Sequence, residues 1–302
     1  MKIGENTGYK IIKYTRYYAD NLVIAGVEPY NKCGFRCFYC ITNSQGKTQP
    51  VTPDADSFRR LFVEELTHFD DTKYLFGIGV ATDAYSDIEG ECGYTRIALE
   101  ELAARGHAVS ITTKSPLVTR DIYLYRQMSA DKHKVILSFT CSTSELAQQL
   151  EPQAPSPESR LEALHTLHQA GVNTCVLMAP WVPGLTDTER LLELFPKGIK
   201  VFFQPMELGD HFSETLDNEK RHFSSSLFMG RKRDQNEINR AYIQECNTVG
   251  KKYWKDFDME WRHPITLETH ADNSGYLKRM RPGRYDPDQW VAEHFITPAV
   301  RA

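Results

Sequence analysis

No run of apolar residues in this chain approaches the length that crosses a membrane. The opening segment, Met1-Lys-Ile-Gly-Glu-Asn-Thr-Gly8, also lacks the apolar core of a secretory signal. Export and membrane insertion are therefore not expected, and a reducing cytoplasm is. An excess of one charge is missing too. The 36 basic and 40 acidic residues leave a net charge of −4 with the signs intermixed, which argues against a protein built mainly to grip nucleic acid. No internal repeat or low-complexity run stands out. The 7 cysteines are odd in number, so a disulfide framework is not expected either. A second Cys-x2-Cys pair and a His-x3-His partner, which structural zinc sites usually need, do not occur.

What is present is a concentration of thiols. Cys33, Cys37 and Cys40 fall within eight residues of the segment Pro29-Tyr-Asn-Lys-Cys-Gly-Phe-Arg-Cys-Phe-Tyr-Cys40. Thiolates this close on one loop can wrap a single soft metal site. Zinc is one reading and an iron–sulfur cluster the other. A [4Fe–4S] cluster usually takes four cysteines, so three leave one iron open to bind something else. The remaining four, Cys92, Cys141, Cys175 and Cys246, are scattered singly.

With 302 residues, 41% of them hydrophobic, the chain can bury a full core, and one domain with an extension fits best. Apolar runs alternate with amphipathic segments through the first two-thirds. Strands are expected at Leu22–Val27, Tyr74–Val80, Ala108–Thr113, Val135–Thr140, Thr174–Ala179 and Ile199–Gln204. Helices are expected at Ser57–Phe69, Tyr94–Arg105, Thr119–Met128 and Pro157–Ala170, the last opened by Ser156 and Pro157 and closed by Gly171. Six parallel β/α units are too few for a closed eight-fold barrel. Periodicity alone leaves a partial barrel and a doubly wound sheet equally open. After Pro205 the pattern changes: 211–233 is polar, and Asn236–Trp254 reads as a helix with Ile238, Tyr242 and Cys246 on one face.

The spacing Cys-x3-Cys-x2-Cys, with Tyr39 before the last cysteine, resembles the signature of radical S-adenosylmethionine (radical SAM) enzymes. Further segments narrow the resemblance to the spore photoproduct lyase-related group: Val27-Glu-Pro-Tyr-Asn, Ala81-Thr-Asp-Ala-Tyr-Ser-Asp-Ile-Glu89, Thr113-Lys-Ser115, Leu150-Glu-Pro152 and Ala154-Pro-Ser-Pro-Glu-Ser-Arg-Leu-Glu-Ala163. The resemblance implies an α/β fold, a partial (β/α)6 TIM-type barrel over 1–205, with 206–302 as a helical or irregular extension that caps the substrate. It implies a [4Fe–4S] cluster on Cys33, Cys37 and Cys40, and S-adenosylmethionine as second cofactor. An electron donor such as flavodoxin or ferredoxin is the implied partner. Residue by residue, Tyr39 matches the aromatic near the adenine, and Lys114 and Ser138 match SAM contacts of the third and fourth strands. Thr82 and Asp83 fall where the methionine amino group is recognised. Arg160 matches the arginine of the helix motif; it has no acidic residue three or four positions away, and an exposed, solvated arginine accounts for it equally well.

Two departures redirect the function. The lyases carry a hydrogen-donating Cys just before the Ser/Thr-Asp pair, where this chain has Ala81, and a Tyr directly after the third cluster Cys, where it has Ile41. The expectation is therefore hydrogen abstraction from a polar small molecule, a sugar-containing metabolite being one candidate, with epimerisation as the favoured outcome. Cys246 or Cys141 would return the hydrogen. Cys175 reads as core and Cys92 as an exposed loop residue. A dehydrogenase, a DNA-lesion repair lyase and a metal-binding protein without catalysis are the alternatives. The basic runs Arg231-Lys-Arg233, Lys251-Lys252 and Lys278-Arg-Met-Arg281 are interspersed with acids and read as solvated faces.

Overall fold

A computed structural model describes residues 10–17, 23–37, 39–40, 48–69, 74–206 and 235–261. One eight-stranded sheet runs in chain order: β1 (Ile12–Tyr17), β2 (Val23–Val27), β3 (Tyr74–Ile78), β4 (Ala108–Thr113), β5 (His133–Phe139), β6 (Thr174–Trp181), β7 (Lys200–Pro205) and β8 (Asp258–Trp261). β1 is antiparallel to β2, and every later pair is parallel. Sequential parallel order with intervening helices is the partial barrel, and it removes the doubly wound alternative, whose strand order reverses.

The helices follow from caps and periodicity. In α1 (Ala55–Leu66), Asp54 accepts the Ser57 N–H at 2.7 Å, and Phe58, Phe62 and Leu66 are buried at four-residue spacing. A short α2 (Glu89–Cys92) precedes α3 (Tyr94–Ala104), and α4 (Ile122–Gln127) leads to β5. After β5 come α5 (Ser144–Leu150) and α6 (Pro157–Gln169), the latter capped by Ser156 with proline in its first turn. α7 (Thr188–Leu194) lies between β6 and β7, and α8 (Gln235–Tyr253) precedes β8.

Register sorts the strand side chains into two faces. The row Thr113, Leu137, Val176, Val201 and Met259 is buried throughout and shares one core with apolar residues of α1, α3, α6, α7 and α8. The alternate row, Thr112, Ile136, Cys175, Lys200 and Asp258, faces the other way, as does Ser138, Leu177, Phe202 and Glu260. Most of these inner-face residues are only partly buried. The helices cover one face and leave the inner one open.

Two strands go beyond the six expected. β1 carries a run of polar residues, and β8, Asp-Met-Glu-Trp, is too short for alternation to stand out. β8 also bears on the expected division after residue 205. That division cuts through one sheet, because β8 on its far side is hydrogen-bonded to β7. The polar segment 211–233 and the basic run 278–281 lie outside the described residues.

Candidate active site

The cysteine loop leaves the end of β2 and returns beside its own start. Tyr30 bridges Pro50, and Asn31 N–H donates to Gln49 O at 3.2 Å. Inside the loop Arg36 takes a left-handed φ of 51°. Gly34 faces the Asp87 carboxylate so closely that a Cβ would lie 2.8 Å from Oδ1; the Thr48 hydroxyl donates to the same oxygen. Cys40 N–H donates to Cys37 O at 3.1 Å. Cys37 is buried, Cys33 and Cys40 half-buried, and none of the three is in a disulfide among the described residues. Burial pushes the Cys33 thiol up to about 11 and the Cys37 thiol up to about 12, with Lys114 pulling against it in both.

Across the mouth of the sheet, the ends of β3 and β4 are tied to this loop by carboxylates. Glu28 accepts from Ala81 N–H at 2.7 Å, Thr82 N–H at 3.2 Å and the Thr82 hydroxyl at 2.9 Å. Asp83 accepts from the Thr113 hydroxyl at 2.5 Å, Tyr85 N–H at 2.9 Å and Lys114 N–H at 2.8 Å. A carboxylate offers about four lone-pair sites, so Asp83 keeps one. Burial raises its pKa, and those hydrogen bonds work in the opposite direction. The Lys114 ammonium makes no hydrogen bond or ion pair among the described residues and lies 5.5 Å from the centre of the Tyr39 ring. Burial works against its charge, yet Cys37, Glu151 and Asp83 together raise its pKa above the ordinary lysine value.

Tyr39 leads to the end of β5. Its hydroxyl donates to Glu151 and lies 3.3 Å from the Thr140 hydroxyl. Glu151 also accepts from Thr140 Oγ1 at 2.9 Å and from Arg160 Nη2 at 2.5 Å. Arg160 is fully buried, and it donates further to Ser138 O at 3.1 Å and Pro155 O at 2.9 Å. The reading of Arg160 as an exposed, solvated residue is therefore corrected: its acid is Glu151, nine positions upstream across the turn from α5 to α6. Ser138 Oγ donates to Ala179 O at 3.2 Å.

These residues suit an iron–sulfur cluster with a bound amino acid. The loop offers three thiols outside any disulfide, and the Lys114 ammonium stands beside them. Among the described residues no three His, Cys, Asp or Glu side chains are arranged to hold one metal ion; a cubane takes each thiolate on a different iron. Cys33, Cys37, Cys40, Tyr39, Thr82, Asp83, Lys114, Ser138 and Arg160 thus all lie on the loop and the ends of β3–β5 or are bonded to them. The two other cysteines part company. Cys141 is buried just beyond β5 in a small cluster with Ala147, Leu150, Val182, Leu185, Met206 and Ile238, against which Tyr39 packs. Cys246 is fully buried in the main core, with Tyr242 and Val249 of α8 and the outward row of the sheet. It stands behind the sheet instead of over its mouth. Cys175 is buried as expected but belongs to the inner face, and Cys92 is half-buried at the end of α2.

Glu28, Glu89 and Glu151 stand inside the motifs that carry the family resemblance, but the sequence pattern gives these carboxylates no role. Glu89 accepts from the Tyr30 hydroxyl, Thr95 N–H at 3.0 Å and Arg120 at 2.5 Å. The signal available was an acid directly after an apolar residue, followed by proline at Glu28 and Glu151 and by glycine at Glu89, a poor place for an unpaired charge.

The Radical SAM superfamily model matches residues 27–195, more than half of the chain. The chain belongs to that superfamily, whose members use a [4Fe–4S] cluster and S-adenosylmethionine. An uncharacterized protein of Methanocaldococcus jannaschii is 29% identical over 169 residues, 55% of this chain and 63% of that protein. One of Mycobacterium bovis is 27% identical over 177 residues, 55% of this chain and 52% of the relative. The chain thus spans less than two thirds of the length of these curated relatives. Among solved structures, spore photoproduct lyase with S-adenosylmethionine and dinucleoside spore photoproduct bound superposes with a TM-score of 0.57 at 14% identity, over 82% of this chain and 78% of that one. Streptococcus suis SuiB bound to S-adenosylmethionine gives 0.53 at 10% identity, over 84% and 54%. At such identities the likeness is one of fold. No described helix is long and apolar enough to cross a membrane.

Proposed function

We propose that this radical SAM enzyme cleaves S-adenosylmethionine reductively and takes a hydrogen atom from a polar small molecule held against the inner face of the barrel. The observation that carries the reading is that face itself. It is left partly exposed, Thr112 and Gln204 line it towards the strand C-termini, and the cysteine loop and Lys114 stand at its rim. When bound, the cluster supplies the electron for SAM cleavage, received from a small reductant of the flavodoxin or ferredoxin kind. Lys114 holds the methionine carboxylate as a point charge, Asp83 uses its remaining acceptor site for the amino group, and Thr82 acts through Glu28. Tyr39 and Ser138 line the adenosine side, with Arg160 acting through Glu151.

Epimerisation is the favoured outcome, with Cys141 as hydrogen donor. Its thiol is pushed up to about 12, by burial first and the Glu151 charge second, so it keeps the S–H form that can return a hydrogen atom. Cys246 does not share this placement.

The test is anaerobic reconstitution with iron and sulfide, then dithionite and S-adenosylmethionine, with 5′-deoxyadenosine followed by mass spectrometry. Product should form with Cys33, Cys37 and Cys40 intact and vanish when they are replaced by alanine. A protein that fills with zinc and never assembles the cluster would overturn the proposal. With substrate in D2O, an epimerase leaves deuterium in its product, and a dehydrogenase leaves a product two hydrogens poorer.

A further inference from the structure

The segment between α5 and α6 touches the cysteine loop twice, by two different kinds of contact. Glu151 accepts the Tyr39 phenol through its side chain, and Gln153 N–H donates to Phe35 O at 3.2 Å through the backbone. Phe35 and Tyr39 bracket Cys37 in the loop. The carboxylate that makes the first contact is itself immobilised. Glu151 is 2% exposed and Arg160 0% exposed. Arg160 Nη2 and the Thr140 hydroxyl fix the two carboxylate oxygens, and Arg160 Nη1 and Nε donate to Ser138 O and Pro155 O. Glu151 N–H donates to Ala147 O at 2.7 Å, and Ala154 N–H returns to Glu151 O at 3.1 Å. A buried carboxylate with both oxygens engaged is a rigid acceptor. Nothing about helix packing requires it to point at the loop.

We propose that Glu151 is a positioning residue. Held by Arg160, it clamps Tyr39 and so fixes the cysteine loop in its ligand-presenting form before any cluster is bound. A three-cysteine loop would otherwise lose conformational freedom on metal binding, and ordering it beforehand removes that cost from assembly. The inference accepts Cys33, Cys37 and Cys40 as cluster ligands, but its test begins on the cluster-free protein. Failure of the clamp and failure of the enzymatic reading are therefore distinguishable.

The test is hydrogen–deuterium exchange by mass spectrometry on the cluster-free full chain, comparing wild type with Tyr39→Phe and Glu151→Gln. Tyr39→Phe removes only the hydroxyl and keeps the ring. It should speed exchange of peptides covering 33–40 and 151–154 about tenfold or more, with β4–β6 peptides unchanged. Glu151→Gln strips the counter-charge from a buried guanidinium and can unfold the protein. Fast exchange in the β4–β6 peptides would show this, and Tyr39→Phe then decides alone. After reconstitution, Tyr39→Phe should alter the change that S-adenosylmethionine causes in the EPR spectrum of the reduced cluster. A packing role for Glu151 confined to α5 and α6 would leave that spectrum as in wild type. Loop peptides that exchange at the wild-type rate in Tyr39→Phe, or an unaltered spectrum, overturn the proposal.

Discussion

At the scale of single residues, Lys114 is the side chain most exposed to a decisive test. Its backbone is fixed by Asp83, yet its ammonium keeps only the Tyr39 ring face within reach among the described residues. A charge-assisted hydrogen bond to a carboxylate contributes about 1.5–3 kcal/mol, so Lys114→Met should weaken S-adenosylmethionine binding about ten- to a hundredfold. Equilibrium dialysis under nitrogen measures it, with iron content as the control for loop integrity. Unchanged affinity would take the carboxylate contact away from Lys114. Cys33, Cys37 and Cys40 were legible because all three ligands lie in one eight-residue stretch, where spacing alone carries the chemistry. The Glu151–Arg160 pair was not: its partners sit nine positions apart across a turn, and no helical periodicity joins them.

At the scale of elements, the site depends on how the strands end. β3 is followed by Gly79 in a left-handed φ of 71°, where a Cβ would lie 2.5 Å from the Ala84 backbone nitrogen. Gly79 N–H also donates to Val27 O at 2.8 Å, joining β3 to the end of β2. Gly79→Ala should cost about 1–2 kcal/mol from the left-handed conformation alone, with more from the clash. Urea denaturation should show a lowered midpoint, and a midpoint equal to wild type would mean the turn relaxes freely. At the other end of the sheet, His133 Nε2 accepts Asn173 N–H at 3.0 Å, which leaves Nδ1–H to donate to Ser129 O at 3.0 Å. That neutral tautomer joins β5 to β6, and burial lowers the His133 pKa below 6.5. The folded state then binds fewer protons than the unfolded chain, so stability is present above about pH 6.5 and is lost as the pH falls. Melting temperature should drop between pH 7.5 and 5.5 in wild type. His133→Phe should be less stable at pH 7.5 but should show a shallower drop; equal slopes would remove His133 as the cause.

At the scale of the whole molecule, six strands and four of the crossover helices could be read because each hydrophobic run is long enough to show its period, whereas β1 and the seven-residue α7 could not. Two larger features escaped as well. Periodicity marked Ile238, Tyr242 and Cys246 as one buried face of a helix, but it cannot tell which side of a sheet that helix covers. α8 lies on the outer side, with Cys246 in the main core. The short β8 carries the chain back into the sheet, so the barrel continues past the point where the sequence changes character. The same view separates the rival substrates. A duplex-binding repair enzyme neutralises phosphates, and its affinity falls with salt with a log–log slope of about −0.9 per phosphate contacted. This chain has a net charge of −4, and the polar side chains available at its site lie along a partly exposed inner face suited to a small molecule. Fluorescence anisotropy with labelled duplex, intact or lesion-bearing, should show weak binding with no steep salt dependence. Gln204→Ala, near the C-terminal end of β7 on the inner face, should raise the KM for the true substrate while leaving the wild-type rate of S-adenosylmethionine cleavage without substrate unaltered. Tight, steeply salt-dependent binding to lesion-bearing duplex would instead move the substrate from the inner face to the surface around the rim.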